Sequence, residues 1–277
     1  MNLFESIKSR VRDPRRRILL PETHDPRVVR AAAQCQHEGF CRPVLLTLAD
    51  RLPDDLRAAG GNPEAAEFLD PSDPDRLQAL ADAYYRRRRH KGCTPEEARD
   101  AVRDPVLYGA MCVAEGLADG MVAGSASPTP HVIRAALRAV GTREGLKTLS
   151  SCFILLMPTP DFGHEGTLLL ADCGVVPEPT EDQLLDILTS AASSWRQFTG
   201  TEPVVACLSF STKGSAKHEA AERMARVARR AAERDPGLLV DGELQVDAAL
   251  VPEVARTKAP GSPVAGRANV LIFPDLG

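Results

Sequence analysis

The polar residues with the clearest capacity for chemistry follow an apolar run near the end of the chain. Leu238–Val240 has the composition of a short buried strand, and Asp241, Glu243, Gln245 and Asp247 come directly after it. Parallel α/β sheets hold their ligands beyond the carboxyl ends of their strands. The pattern therefore predicts a polar site at this edge, built from carboxylates and one amide.

A turn-rich segment follows at Lys258–Ala268. Two Pro, two Gly and Ser262 stand between Lys258 and Arg267, a composition that excludes helix and strand. Such a segment can bring backbone N–H groups close to an anion. Asn269–Phe273 then returns to an apolar, strand-like run, so we expect an anion-contacting loop between two ordered elements.

A second candidate loop lies upstream, where the predicted strand Val204–Ser209 ends. The segment SFSTKGSAK brings hydroxyl groups, Lys213 and Ser215 to the start of a helix predicted over Lys217–Glu233. One interpretation is contact with a phosphate or an acyl phosphate. The other is a capped loop with a solvated lysine, which the residues alone slightly favour.

The third candidate loop is Gly124–Pro130, GSASPTP. It joins a strand predicted at Gly120–Ala123 to an amphipathic helix predicted at His131–Val140. Hydroxyl and N–H groups at a helix N-terminus form an anion site, although a plain Pro-rich capping loop is the alternative. The hydroxyl residues concerned are Ser125, Ser127 and Thr129.

Several familiar motifs are absent. The sequence contains no GxGxxG, GxxxxGK[ST] or GxSxG pattern, which argues against a dinucleotide enzyme, a P-loop kinase and a serine acyl-enzyme. The run Arg86–Arg89 with His90 and Lys91 lies at a predicted helix C-terminus, where a solvated cationic face is the default interpretation.

Composition bounds the class of protein. The chain has 277 residues, 43% of them hydrophobic and 26% charged, which is typical of a globular protein with two domains. Its net charge of -4 argues against a nucleic-acid partner, and it has no apolar run long enough to span a membrane and no signal peptide. We therefore expect a cytoplasmic protein. The seven cysteines form no CxxC pair, so neither a disulfide framework nor a metal site is predicted.

The elements that position these loops alternate between strand and helix, which predicts α/β domains with largely parallel sheets. A turn-rich boundary near Gly141–Gly145 divides the chain into domains at 1–144 and 145–277. Asp161–Gly166 is expected to form a hairpin loop. Further strands are predicted at Arg17–Leu20, Val44–Leu48, Ala66–Leu69, Leu149–Leu156 and Thr167–Leu170, and further helices at Met1–Val11, Arg27–His37, Pro74–Arg89, Asp104–Leu117 and Glu181–Phe198.

Four segments carry a resemblance to a known family. ILLPETHDPRVVRAA, LSFSTKGSAK, DGELQVDAA and KAPGSPVAGRANVLIFPDL resemble signature segments of the phosphate acetyltransferases, and the resemblance covers nearly the whole chain. It implies two α/β domains flanking a cleft, similar to isocitrate dehydrogenase, and a homodimer. It also implies reversible conversion of acetyl-CoA and phosphate to CoA and acetyl phosphate, without an acyl-enzyme and without a cofactor, CoA being a substrate.

The resemblance also implies site residues. Arg134 and Arg88 match family arginines that stabilise charge, and Cys173 matches a thiol near the site. A catalytic thiol would need an electropositive, accessible setting. The residues implied to bind the substrates are Ser125, Ser127, Thr129, Lys213, Ser215, Gln245, Asp247, Ser262 and Arg267.

The chain departs from the family pattern in one loop. Ser127, Thr129 and His131 stand where the family has a His or Asn, two hydroxyl residues and an acid, and Ala135 replaces a common Pro. Two alternatives stay open: a phosphate butyryltransferase-like enzyme of another chain-length preference, and a non-catalytic acetyl-CoA-binding module.

The resemblance bears on the end of the chain as well. The family continues beyond Gly277 into a segment with a Ser-Arg-Gly motif and an Asp credited with activating the thiol. From this we expect weak CoA binding and slow or no turnover, with the base unassigned.

Overall fold

The structure, a computed structural model, describes residues 3–11, 16–47 and 51–277. The chain divides into two compact units, Met1–Gly141 and Thr142–Gly277. The sequence places the division slightly later, between residues 144 and 145. Within the described residues, no helix is long and apolar enough to cross a membrane.

The first unit contains, in its described part, a parallel four-stranded sheet in the order β3-β2-β1-β4. Parallel neighbours need crossover connections, and helices supply them. The strands are β1 (Arg17–Leu20), β2 (Arg42–Leu46), β3 (Glu67–Leu69) and β4 (Gly120–Met121), and the helices are α1 (Leu3–Val11), α2 (Pro26–Glu38), α3 (Leu52–Ala58), α4 (Pro74–Arg88), α5 (Pro95–Ala101), α6 (Pro105–Ala114) and α7 (Thr129–Ala139).

Helices cover both faces of this sheet. Leu19 and Val44 are fully buried against α4 and α6, where Tyr108 is fully buried as well. Leu45, pointing the other way, packs with Leu56 of α3. Strands buried on two faces are typical of parallel sheets, and their carboxyl ends are left as the edge that holds polar groups.

The second unit contains a five-stranded sheet in the order β5-β6-β9-β7-β8, again within its described residues. β5 is antiparallel to β6, as the predicted hairpin requires, and the other neighbours are parallel. The strands are β5 (Phe153–Leu156), β6 (Thr167–Ala171), β7 (Val204–Leu208), β8 (Leu239–Leu244) and β9 (Val270–Ile272), and the helices are α8 (Glu181–Thr199), α9 (Glu219–Arg234), α10 (Val246–Leu250) and α11 (Pro252–Lys258).

The two faces of the second sheet are covered differently. Long helices α8 and α9 bury Trp195 and Met224 against one face. The other face is covered by α10, α11 and the loop of residues 259–268, through Ala248, Val264 and their neighbours. This arrangement packs the turn-rich loop beside β7, β8 and β9.

The predicted α/β class with largely parallel sheets is confirmed, but several local predictions are wrong. β8 does not stop at Val240: Asp241 and Glu243 lie inside it, paired with β7 across a register shift. Glu243 is buried, and the loop after β7 supplies two donors to its carboxylate. Lys258 is not in a loop but ends α11, and the short helices α3, α5, α10 and α11 were not predicted. In the strand predicted at 44–48, Leu48 lies outside the described residues.

Candidate functional site

Asp241 joins two of the candidate loops in the second unit. Lys213 Nζ donates to its Oδ1, and the Ser262 hydroxyl donates to its Oδ2. Only 15% of the Asp241 side chain is exposed, against 39% for Lys213. The structure thus brings two predicted substrate-binding residues to one carboxylate, and Lys213 already has a counter-ion there.

A second cluster surrounds Gln245, at the carboxyl end of β8. Lys258 Nζ donates to Gln245 Oε1 at 3.0 Å and to Asp247 Oδ2 at 2.8 Å. The hydrogen bond from Lys258 lowers the pKa of the Asp247 carboxyl group. The backbone N–H of Gln245 donates to Thr212 Oγ1 at 2.9 Å, so the loop after β7 is also tied to this cluster.

The loop after β7 is held by bonds within the protein. The Ser211 hydroxyl and the Gly214 N–H donate to Glu243 Oε1 at 2.9 and 2.8 Å. Ser215 Oγ accepts the Thr212 N–H at 3.1 Å. These contacts support Lys213 at a φ of 50°, which non-glycine residues rarely adopt. The hydroxyl groups therefore shape the loop.

The helix after this loop begins later than the sequence predicts. α9 starts at Glu219, and His218 is its N-cap, with Nδ1 accepting the Ala220 N–H at 3.2 Å. The predicted start at Lys217 would have placed the loop hydroxyls directly above the helix N-terminus. The observed start leaves the capping to the imidazole of His218.

Arg267 braces the turn-rich loop. Its Nε and Nη2 donate to the Pro263 carbonyl oxygen at 2.9 and 2.6 Å, while the side chain is exposed. Ser262 Oγ also accepts the N–H groups of Val264 and Ala265, at 3.2 and 3.0 Å. Hydrogen bonds within the loop therefore hold its conformation without a ligand.

In the first unit, the predicted anion site at GSASPTP is already filled. The Glu22 carboxylate accepts the N–H groups of residues 124–127 at 2.6, 2.8, 3.2 and 2.7 Å, and the Ser125 hydroxyl at 3.1 Å. Glu22 is 1% exposed. Burial alone would raise its pKa, but the hydrogen bonds outweigh burial and lower the pKa of Glu22 to about 2. The loop thus binds an anion, as one of the two interpretations predicts, but that anion is an internal carboxylate.

Glu22 was missed by the sequence interpretation, and so were Asp241 as a shared acceptor and Lys258. The signal that could have found Glu22 is its position two residues after the end of β1, at the carboxyl edge of the sheet. Lys258 gave no signal beyond its place at the border of the turn-rich loop.

The two arginines predicted to stabilise charge lie on helices that pack together. Arg88 ends α4 and is half-buried, and Arg134 is exposed on α7. Neither guanidinium has a hydrogen bond or ion pair within residues 3–11, 16–47 and 51–277. Arg87, by contrast, pairs with Glu115 at 2.8 Å. The cations free to meet an anion therefore include both predicted arginines.

Two further residues of the first unit lie near Arg134 on α7. Thr129 is the first residue of that helix and is exposed. His131 Nε2 lies 3.0 and 3.1 Å from the carboxylate oxygens of Asp104, which is the N-cap of α6. The departure at position 131 thus places an imidazole where it can bridge two helix starts.

Cys173 follows the end of β6. Its Sγ donates to the Leu170 carbonyl oxygen at 3.1 Å, and burial raises the pKa of the thiol, with the negative charge of Asp172 adding to the effect. A neutral, hydrogen-bonded thiol is a poor nucleophile. The described part of the chain contains no group of three or more His, Cys, Asp or Glu side chains placed to hold a metal ion.

Comparison with known proteins gives a consistent result. A family model described as "Phosphate acetyl/butaryl transferase" matches residues 2–277. A phosphate acetyltransferase of Acetivibrio thermocellus is 43% identical over 276 residues, covering 100% of this chain and 82% of that protein. One from Thermoanaerobacterium thermosaccharolyticum is also 43% identical, with 84% of its length covered.

Solved structures agree. A phosphotransacetylase from Streptococcus pyogenes superposes with a TM-score of 0.90 at 35% identity, covering 99% of this chain and 82% of that one. A branched-chain phosphotransacylase from Enterococcus faecalis has a TM-score of 0.64 at 16% identity, covers 94% of this chain and 79% of that one, and shows likeness of fold alone.

Proposed function

The chain belongs to the phosphate acetyl/butaryl transferase family, and we propose that it transfers an acetyl group reversibly between CoA and inorganic phosphate. The observation that carries this proposal is the match of essentially the entire chain to phosphate acetyltransferases at 39–43% identity. The reaction is an acyl transfer. A phosphate oxygen attacks the thioester carbonyl carbon, the new C–O bond forms, the C–S bond breaks, and CoA leaves as a thiolate that takes up a proton.

This chemistry needs cations for the phosphate and donors for the oxygen that gains charge. Arg134 and Arg88 are proposed to supply the positive charge, since both lack an acidic partner among the described residues. Thr129, exposed at the start of α7, is proposed to donate to the same phosphate. Ser125 and Ser127 contribute by holding the loop through Glu22.

In the second unit, the residues predicted to bind substrate stay predictions. Lys213, Ser215, Asp247, Ser262 and Arg267 are each bonded to another part of the protein. Their first role is to fix the loops at the carboxyl edge of the sheet, which preorganises any contact with the substrates. CoA is proposed as a substrate, and no cofactor is proposed.

A homodimer in the cytoplasm is also proposed. β5 is the edge strand of its sheet, and Phe153, Leu155 and Leu156 expose 59%, 41% and 44% of their surface. An exposed apolar edge strand can pair with another chain, and a second copy would cover these side chains. Sedimentation of the protein over a range of concentrations tests this part of the proposal.

The function is tested by release of CoA thiol from acetyl-CoA on addition of phosphate, with butyryl-CoA assayed alongside. Thiol release that requires phosphate and is faster with acetyl-CoA supports the proposal. Faster release from butyryl-CoA would indicate the other branch of the family. Binding of acetyl-CoA without thiol release would indicate a non-catalytic module.

A further inference from the structure

The side-chain amide of Gln245 is held in one orientation by its neighbours. Its Oε1 accepts from Lys258 Nζ at 3.0 Å and from the Thr212 hydroxyl at 3.4 Å. Lys258 is itself held, because Asp247 Oδ2 accepts from the same Nζ at 2.8 Å. Thr212 is 4% exposed and accepts the Gln245 backbone N–H at 2.9 Å, so it is a fixed point as well.

This framework decides which end of the amide faces outward. The oxygen and nitrogen of a glutamine are assigned from their partners, and here an ammonium and a hydroxyl both approach the same atom. Reversing the amide would set its NH2 group against the ammonium of Lys258. Gln245 Oε1 therefore faces Lys258, and Nε2 keeps two N–H donors that have no acceptor among the residues described.

The free donors stand where a ligand is expected. Gln245 is half-buried and follows β8 directly, at the carboxyl edge of the sheet. The charges beside it are already balanced, Lys258 by Asp247 and Lys213 by Asp241. An amide NH2 in such a place suits an oxygen that can only accept hydrogen bonds, as the oxygens of a phosphoryl group do.

We propose that Lys258 is a positioning residue that fixes the Gln245 amide, so that Nε2 donates to a phosphoryl oxygen of the substrates. This inference rests on the proposed function. The phosphoryl oxygen belongs either to inorganic phosphate or to the phosphate groups of CoA, and the Michaelis constants for phosphate and for acetyl-CoA distinguish the two sources.

The test compares four variants by steady-state kinetics and urea unfolding. Lys258→Met frees the amide to rotate, so the KM of one substrate should rise about tenfold with kcat within about twofold, the size expected for losing one hydrogen bond. Lys258→Arg can still bridge Gln245 and Asp247 and should restore most of the affinity. Lys147→Met is the matched control, since Lys147 is exposed and its ammonium has no partner in the described ranges.

Gln245→Glu separates the donor role from a purely structural one. The carboxylate still accepts from Lys258 and Thr212, so the urea midpoint should hold or rise. It presents an anionic acceptor where Nε2 stood, and the same KM should rise about a hundredfold. Wild-type values of both Michaelis constants in Gln245→Glu and in a folded Lys258→Met would overturn the proposal.

Failure of this inference about Gln245 and Lys258 can be distinguished from failure of the proposed function. If the unchanged protein releases no thiol, the proposed function fails, and calorimetric affinities for CoA and for inorganic phosphate replace the Michaelis constants. Affinities for both ligands that are the same in Gln245→Glu and the unchanged protein would then overturn the inference.

Discussion

Replacing Glu22 with Gln should destabilise the first unit, because it removes the charge that the loop of residues 124–127 surrounds. The carboxylate is 1% exposed and accepts N–H groups on both oxygens. A glutamine of the same shape keeps one acceptor oxygen but turns an NH2 group toward backbone donors. In Glu22→Gln, the backbone N–H groups that donate to one of the two carboxylate oxygens therefore lose their acceptor.

The magnitude follows from the pKa of Glu22. The fall from 4.5 to about 2 on folding corresponds to a stabilisation on the order of 3 kcal/mol at neutral pH. Loss of buried hydrogen bonds to a charged acceptor gives a similar figure, at about 2–3 kcal/mol per unpaired group. We therefore expect Glu22→Gln to lower the free energy of unfolding at pH 7 by about 3 kcal/mol.

Urea unfolding followed by circular dichroism measures this change. Glu64→Gln is the control, since Glu64 is exposed and its carboxylate has no partner in the part of the chain that the structure describes. Because the pKa of Glu22 is lower in the folded state, its contribution is complete above about pH 4.5 and is lost as the pH falls toward about 2. The difference between the unchanged protein and Glu22→Gln should therefore shrink on acidification. A difference below about 0.5 kcal/mol at pH 7, or one that is independent of pH, would refute the reasoning.

Three further predictions concern activity and binding. Arg134→Ala should lower kcat/KM about a hundredfold with the urea midpoint unchanged, because a charge acting on phosphoryl oxygens is worth about 3 kcal/mol. Arg134→Lys should restore only part of the lost kcat/KM. Arg138→Ala on the same helix is the control, and unchanged kinetics in Arg134→Ala would show that Arg134 is not in the site. Acetyl-CoA should raise the thermal midpoint whereas NAD and ATP should not, as differential scanning fluorimetry would show, and a shift with NAD alone would contradict the assignment. Cys173→Ser should keep turnover within about threefold, because the raised pKa keeps the thiol neutral at pH 7, and a loss of several hundredfold in the thiol-release assay would contradict this.

The order of strands and long helices could be predicted because their signals are local. Runs such as Val204–Leu208 are apolar along their whole length, and Thr180 caps α8 in the pattern that its sequence indicates. β8 was cut short at Val240 because hydropathy alone treats Glu243 as a surface residue. What keeps Glu243 inside the strand is a hydroxyl and an N–H from the loop after β7, and partners that distant in sequence leave no periodic signal.

The types of residue in the candidate site could be predicted from the sequence, but the hydrogen bonds and ion pairs between them could not. Lys213 and Ser262 were assigned to the substrate from a resemblance, and nothing local indicates that both bind Asp241. The same holds for Lys258, whose partners Gln245 and Asp247 are the N-cap and a first-turn residue of α10, a helix that the sequence does not predict. Contacts made between loops depend on the packed sheet beneath them.

The internal carboxylates also bear on how phosphate can be recognised. The Glu22 carboxylate accepts the N–H groups of the loop of residues 124–127. Asp172 likewise accepts the Val176 N–H at 2.6 Å and the Ser151 hydroxyl in the second unit. A carboxylate tethered by the chain competes with free phosphate at an effective concentration on the order of millimolar or above. Phosphate would have to displace it and leave a buried charge unpaired, which costs several kcal/mol. Among the described residues, the donors without an internal acceptor include the guanidinium groups of Arg88 and Arg134 in the first unit and, in the second unit, the amide nitrogen of Gln245, which is why each of these groups is proposed above to contact phosphoryl oxygens.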